Sequence, residues 1–235
     1  MSIAANIDIV EERILKACLR SGRKREEIIL MGVTKLQPLE AVKEAINRGI
    51  RYFGESRVQE AIEKFADFKE RYSCMELHMI GSLQRNKAKL AASVFDCVQS
   101  LDRDALVGEL AKHSTGRNSP LPVLLEFHTG EETKSGFSGL DELFRAAEMT
   151  FNCPSLSARG LMTIAPQTSE EPLIRAAFRR LAKAQQELEQ RFPANNTDKH
   201  SWACLSMGMS GDYEIAIEEG ATLLRIGGAI FGEKL

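Results

Sequence analysis

The sequence predicts an α/β fold, a TIM-type (β/α)8 barrel forming a single domain with an extra N-terminal helix. Short apolar runs alternate with longer helical patterns to the end of the chain, and about eight such runs occur, the number that closes a parallel barrel. The turn after the first run, Val33-Thr34-Lys35-Leu36-Gln37-Pro38, contains no glycine. An open doubly wound sheet usually places a G-x-G-x-x-G turn there, so the barrel is the better reading.

Residues 7–21 form an amphipathic helical pattern that opens the chain. The strand candidates follow at 28–34, 52–54, 77–81, 95–99, 122–127, 158–163, 203–206 and 223–226. Helical patterns fill most gaps, at 39–47, 58–71, 86–92, 103–113, 140–149, 171–191 and 212–219, as crossovers between parallel strands require. The clearest polar loop is 194–199, no internal repeat is evident, and no linker divides residues 1–235 into two domains.

A chain of 235 residues with 43% hydrophobic residues can bury a substantial core. Its 31 basic and 33 acidic residues leave a net charge of −2, which argues against a nucleic-acid binder held by bulk electrostatics. Residues 1–20 mix charges among their apolar positions and lack both the apolar block of a signal peptide and a membrane span, so a cytoplasmic protein is expected. The five cysteines, Cys18, Cys74, Cys97, Cys153 and Cys204, are scattered and never spaced as C-x-x-C. They encode neither a disulfide framework nor a zinc site and read as mostly buried, reduced thiols.

The chemistry concentrates at strand ends. Leu205-Ser206-Met207-Gly208-Met209-Ser210-Gly211 and Leu223-Leu224-Arg225-Ile226-Gly227-Gly228 read as strands that open into small-residue turns, which are natural anion seats. In a barrel, phosphate sites commonly use the loops after the last two strands, where this tail falls. Ser206 and Ser210 lack the G-x-S-x-G elbow of a serine hydrolase and read as hydroxyl donors to a phosphate.

Lys35 ends the first strand at the same rim. An amine flanked by apolar strand ends is a candidate for Schiff-base formation with an aldehyde, and a plain surface lysine is the alternative. Lys134, beside glycine and acids after the fifth strand, is the rival nucleophile or a loop cation that steers anions. Arg225 lies in a strand otherwise of leucine and isoleucine, where an unpaired charge costs several kcal/mol, so it needs a partner: a salt bridge or a ligand heteroatom. His78 lies in an apolar strand as a core histidine or a ligand contact, and His128 ends the fifth strand. Neither belongs to a metal-ligand cluster, so no metal is expected.

The motifs Val33-Thr34-Lys35 with Pro38, Phe53-Gly54-Glu55 with Val58-Gln59-Glu60, His78-Met79-Ile80-Gly81 with Leu83-Gln84 and Asn86-Lys87, Lys134-Ser135-Gly136, Arg159-Gly160-Leu161-Met162-Thr163-Ile164, the 205–210 segment, and Arg225-Ile226-Gly227 with Ala229-Ile230-Phe231-Gly232 form an ordered set. On these residues the chain resembles the pyridoxal phosphate homeostasis protein family from Ile28 onward, a family similar in fold to the barrel of alanine racemase. The resemblance implies that Lys35 carries pyridoxal phosphate as a Schiff base and that Arg225 faces the pyridine nitrogen. It places Ser206, Gly208, Ser210, Gly227 and Gly228 around the phosphate, and His78 in the pocket. The family often has asparagine at the positions of Ser56 and His128 and threonine at that of Gly228, so each of these polar contacts is changed here.

An arginine at the ring nitrogen disfavours the protonated pyridine on which most chemistry of this cofactor depends. Racemisation also needs two acid/base groups on opposite faces of the substrate, and Tyr52, Tyr72 and Tyr213 offer no obvious second one. The expected function is a monomeric cofactor-binding protein that takes part in intracellular pyridoxal phosphate homeostasis, with no catalytic residue and with cofactor-dependent apo-enzymes as recipients. The competing expectations are a weak amino-acid racemase and a Schiff-base aldolase acting on a phosphorylated sugar.

Overall fold

In a computed structural model of the protein, eight parallel strands close into a ring in chain order. They are β1 (Ile29–Val33), β2 (Tyr52–Glu55), β3 (Glu76–Met79), β4 (Cys97–Leu101), β5 (Leu121–Glu126), β6 (Leu156–Met162), β7 (Cys204–Ser206) and β8 (Leu223–Ile226). The ring is sealed where β1 pairs with β8, with Met31 opposite Arg225. The structure describes residues 2–65, 68, 72–130, 135–193 and 200–232. Lys134, the loop 194–199 and much of the end of the predicted 58–71 helix lie outside the described residues.

The helices are α1 (Ile3–Ser21), α2 (Leu39–Asn47), α3 (Val58–Phe65), α4 (Ala88–Val94), α5 (Asp104–His113), α6 (Leu140–Phe151), α7 (Glu171–Arg191), α8 (Tyr213–Glu218) and α9 (Gly228–Phe231). All eight predicted strands form, and the fold is the TIM-type (β/α)8 barrel. The one-turn α9 escapes the sequence pattern because four residues, opened by two glycines, carry no helical period.

That short helix explains the extra one. β8 lacks a full-length helix after it, and α1 takes the place by packing against α8, α9 and α2. Ser2 caps α1 by accepting the Ala5 N–H, and Gly22 ends it in the left-handed region at φ 68°. Asn6 then donates to the Ile230 carbonyl at 2.8 Å, while Arg13 and Arg20 bond Glu214 on α8. The N-terminal segment is thus part of the barrel wall.

Between strands and helices lies a continuous apolar core that includes Phe53, Leu77, Phe95, Leu125 and Phe178, all fully buried. A second, small apolar cluster of Cys97, Leu124 and Met162, with Ile164 and Cys204 against it, is separate from that core. β6 carries a bulge: its register against β5 skips Arg159, which is the one exposed residue of the strand. Gly160 makes this possible, since a Cβ there would lie 1.9 Å from the Cys204 carbonyl oxygen. Among the described residues no helix is long and apolar enough to cross a membrane.

Candidate functional site

The strand ends bring Lys35 to a tight turn after β1. Thr34 is buried, and its hydroxyl donates to Glu55 Oε1 at 2.7 Å. Lys64, from α3, donates to the Thr34 carbonyl at 2.7 Å, to Glu55 Oε1 at 2.8 Å and to Glu60 Oε1 at 3.2 Å, which uses all three ammonium hydrogens. Glu60 also accepts the Leu36 N–H, and Leu36 itself adopts the left-handed conformation at φ 62°. The turn is therefore held from both sides of Lys35, by Lys64 on one carbonyl and Glu60 on the next N–H.

Glu55 is fully buried, and among the described residues its Oε2 has no hydrogen-bond partner. Burial pushes its carboxyl above the usual range, against the opposing pull of Lys64 and Thr34. For Glu60 burial acts in the same direction, but the Leu36 N–H and the Lys64 ammonium outweigh it and hold the carboxyl below the usual range. Lys35 itself is exposed. The sequence reading put it between apolar strand ends, and the structure corrects that: buried Thr34 occupies the strand end and Lys35 stands out on the turn.

Arg225 points a buried guanidinium into the barrel, with 4% of the residue exposed. It donates to Ser206 Oγ at 2.7 Å and to the Thr163 carbonyl at 2.7 Å. Of the two partners expected from the sequence, a carboxylate is ruled out among the described residues, where no ion pair reaches it. Burial pushes its pKa down to about 10, with Asp212 and Glu126 acting in the opposite sense, so the group keeps its charge at neutral pH.

Ser206 is also fully buried, and its hydroxyl continues to Gln99 Oε1 at 2.6 Å. Gln99 reaches His78 Nδ1 at 2.8 Å, and His78 Nε2 lies 3.3 Å from Glu76 Oε2. His78 is 5% exposed and edge-on to Tyr52 at 5.8 Å. Ser206 and His78 thus belong to a polar file inside the barrel, and the Ser206 hydroxyl is committed to that file.

The remaining predicted residues gather at the loops after β7 and β8. Gly208 has φ 92°, and a Cβ there would lie 2.6 Å from that of Ala216, so only glycine lets the loop pack on α8. Its carbonyl accepts the Arg225 N–H at 3.0 Å. Ser210 Oγ accepts the Ala229 N–H at 3.1 Å and so ties this loop to α9. Among the described residues the N–H groups of Ser210, Gly211 and Gly228 have no acceptor. Lys35, Gly227 and Gly228 line one cavity of about 300 Å³ together with Val33, Leu36 and Gln37.

Lys35 and the loops after β7 and β8 lie at the C-terminal end of the barrel, the end that carries function in this fold; Ser210 and Gly211 line a cavity separate from that of Lys35, and the Arg225 side chain is buried inside the barrel. Sequence reasoning missed Lys64 and Gln99, and it held Thr163 in a motif without assigning its carbonyl to Arg225. It also passed over Glu126, buried near the mouth, whose carboxyl burial pushes up although Ser135 donates to it at 2.8 Å. Glu55 and Glu60 stood in the quoted motifs, where the spacing of a strand-end acid and a helical acid was the available signal. His128 and Ser56 remain partly buried, and the Ser56 backbone packs so closely on Gly81 that a Cβ there would lie 2.4 Å from the Ser56 carbonyl oxygen.

Comparison with known proteins shows the family. The pyridoxal phosphate homeostasis protein of Vibrio cholerae is 42% identical over 236 residues, covering 99% of this chain and 97% of that protein. A crystal structure from Bifidobacterium adolescentis superposes with a TM-score of 0.90 at 31% identity, over 97% of this chain and 94% of the other. PipY of Synechococcus elongatus, solved with pyridoxal phosphate bound, matches with a TM-score of 0.80 at 33% identity, over 95% of this chain and all 100% of that one. Residues 11–234 match the alanine racemase N-terminal domain family. The chain belongs to that family, among the pyridoxal phosphate homeostasis proteins.

Proposed function

We propose that this protein binds pyridoxal phosphate as a Schiff base on Lys35 and takes part in keeping the cofactor available inside the cell. When bound, pyridoxal phosphate supplies an aldehyde that a lysine amine captures reversibly and a ring that accepts electrons best with a proton on its nitrogen. The observation that carries the reading is Arg225: a buried cation inside the barrel whose described side-chain partners are one hydroxyl and one carbonyl. Such a group has donors left for a ligand acceptor. Lys35 and the unengaged N–H of Gly228 in the same cavity suit the aldehyde and phosphate ends. Gly208 and Gly227 shape the cup, while Ser206 and His78 act on it from inside the barrel.

Arg225 also supports binding without robust turnover. A fixed positive charge disfavours a second proton beside it, so with Arg225 as the ring-nitrogen partner the electron sink is weakened. The protein serves on this reading as a monomeric cytoplasmic carrier that gives the cofactor up to dependent apo-enzymes. The name of the Vibrio cholerae relative and the pyridoxal phosphate bound in PipY support the binding half of this reading.

The test is an absorption spectrum of the wild type beside Lys35→Ala, with and without added pyridoxal phosphate. Visible absorbance in the wild type, lost on borohydride reduction with permanent marking of Lys35, is the expected result. The same absorbance in Lys35→Ala overturns the assignment. The racemase reading, kept open by the alanine racemase family match, requires Lys35-dependent entry of solvent deuterium at amino-acid α-carbons at the rate of an ordinary enzyme.

A further inference from the structure

The hydrogen bonds of the polar file inside the barrel run in one direction, from Arg225 to Glu76. Arginine has five N–H donors and no acceptor, so Ser206 Oγ, 2.7 Å from Arg225, must accept there. Its single hydroxyl hydrogen is donated to Gln99 Oε1 at 2.6 Å. The amide nitrogen is left facing His78 Nδ1 at 2.8 Å and must donate to it. Nδ1 therefore carries no hydrogen, and the ring hydrogen is on Nε2, directed toward Glu76 Oε2 at 3.3 Å.

On the same side as His78 the Gln99 amide nitrogen also donates to Met31 Sδ at 3.9 Å, in keeping with the amide oxygen facing Ser206. Gln99 and Ser206 are both fully buried, so water does not repair a broken link cheaply. A guanidinium on a flexible stem is thereby fixed at two of its nitrogens, by Ser206 and by the Thr163 carbonyl.

We propose that Ser206 and Gln99, anchored on His78, are positioning residues that hold Arg225 toward the cofactor site. The inference rests on Arg225 serving the cofactor, and none of the three need touch the cofactor itself. Their hydroxyl, amide and imidazole are chosen for polarity as well as size. A leucine or valine filling the same volume would leave the guanidinium free to turn.

The first measurement uses the cofactor-free protein. Long-range proton–nitrogen correlation spectra of ¹⁵N-labelled wild type, with His78 assigned by its loss in His78→Gln, are expected to show the Nε2–H tautomer. Gln99→Glu replaces the amide donor by an acceptor and is expected to move the hydrogen to Nδ1. Ser206→Ala releases the amide and gives a mixture, while Ser206→Thr restores the wild-type pattern. An Nδ1–H tautomer in the wild type, or His78 signals indifferent to both Gln99→Glu and Ser206→Ala, overturns the proposal.

The second measurement titrates pyridoxal phosphate by absorbance. Ser206→Ala is expected to raise Kd about fivefold or more, and Ser206→Thr to stay within about twofold of the wild type. Unchanged affinity in Ser206→Ala overturns positioning even where the tautomer is as expected. A wild type that shows the Nε2–H tautomer yet binds no pyridoxal phosphate overturns the cofactor reading and leaves the hydrogen-bonded file in place.

Discussion

Lys64 meets the buried Glu55 carboxylate at 2.8 Å directly behind the turn that carries Lys35, and the same ammonium holds the Thr34 carbonyl at 2.7 Å. The Lys64 side chain is 10% exposed and that of Glu55 is fully buried, so the pair is not a solvent-screened surface bridge. Its geometric consequence is a fixed backbone on either side of an exposed amine, which is the arrangement a reversible covalent anchor needs.

Removing one member of such a pair strands the other. Lys64→Met is expected to destabilise the fold by about 3 kcal/mol at neutral pH and to weaken pyridoxal phosphate binding through the loosened turn. Glu55 has a folded pKa raised above its unfolded one by burial. Its favourable contribution is therefore present below the unfolded value and lost as pH rises through the folded value, where Lys64 offsets the cost. The penalty of Lys64→Met should accordingly shrink as pH is lowered toward about 4. Thermal unfolding of both proteins across that range checks it, and a pH-independent difference contradicts the role given to Glu55.

Gly208 couples backbone shape to the cup. With φ at 92° and a would-be Cβ only 2.6 Å from that of Ala216, Gly208→Ala must displace the loop that presents Ser210. A loss of about 2 kcal/mol in stability is expected, together with a rise of tenfold or more in Kd for pyridoxal phosphate. Unfolding curves read the first and absorbance titration the second. A variant that keeps its affinity shows that the Gly208 loop does not shape the phosphate seat.

The barrel was legible because the strand runs, from 28–34 to 223–226, are largely apolar and each but the last is followed by a helical pattern. The α7 helix appeared with its observed limits, 171–191, because its amphipathic period is long and its start carries proline. Arg225 was legible as an anomaly, a charge in an apolar strand, although the hydroxyl and carbonyl that receive it were not. Gln99 and Thr163 come from β4 and the end of β6, far from Arg225 in sequence, and only barrel closure brings them together. Ser206 was legible as the last residue of its strand, but its hydroxyl partners Arg225 and Gln99 come from β8 and β4 and appear only once the barrel closes.

Burial of Glu126 gives a pH-dependent prediction of opposite sign. Its carboxyl is pushed up by burial first, with Asp102 adding to the effect and Ser135, Arg225 and Arg103 opposing it. A raised folded pKa means that its contribution is favourable below the unfolded value and is lost as pH rises through the folded value. The ionised form therefore costs stability at neutral pH. Glu126→Gln keeps an acceptor for the Ser135 hydroxyl and cannot ionise, so Tm should rise by about 2 °C at neutral pH and the gain should fade toward about pH 4. Calorimetry at the two pH values decides it; a lower Tm at neutral pH shows that the carboxylate is stabilising there.

Gly228 is exposed at the start of α9 and lines the cavity that contains Lys35. Its N–H has no acceptor among the described residues. A hydroxyl at this point adds one donor to the cup and stiffens a residue that glycine leaves loose. Gly228→Thr is expected to lower Kd for pyridoxal phosphate about fivefold, roughly one neutral hydrogen bond. Gly228→Val has nearly the same shape without the hydroxyl and isolates the stiffening. Absorbance titrations of the three proteins should place threonine tightest, and equal affinity in the threonine and valine variants would show that no phosphate oxygen lies within reach of position 228.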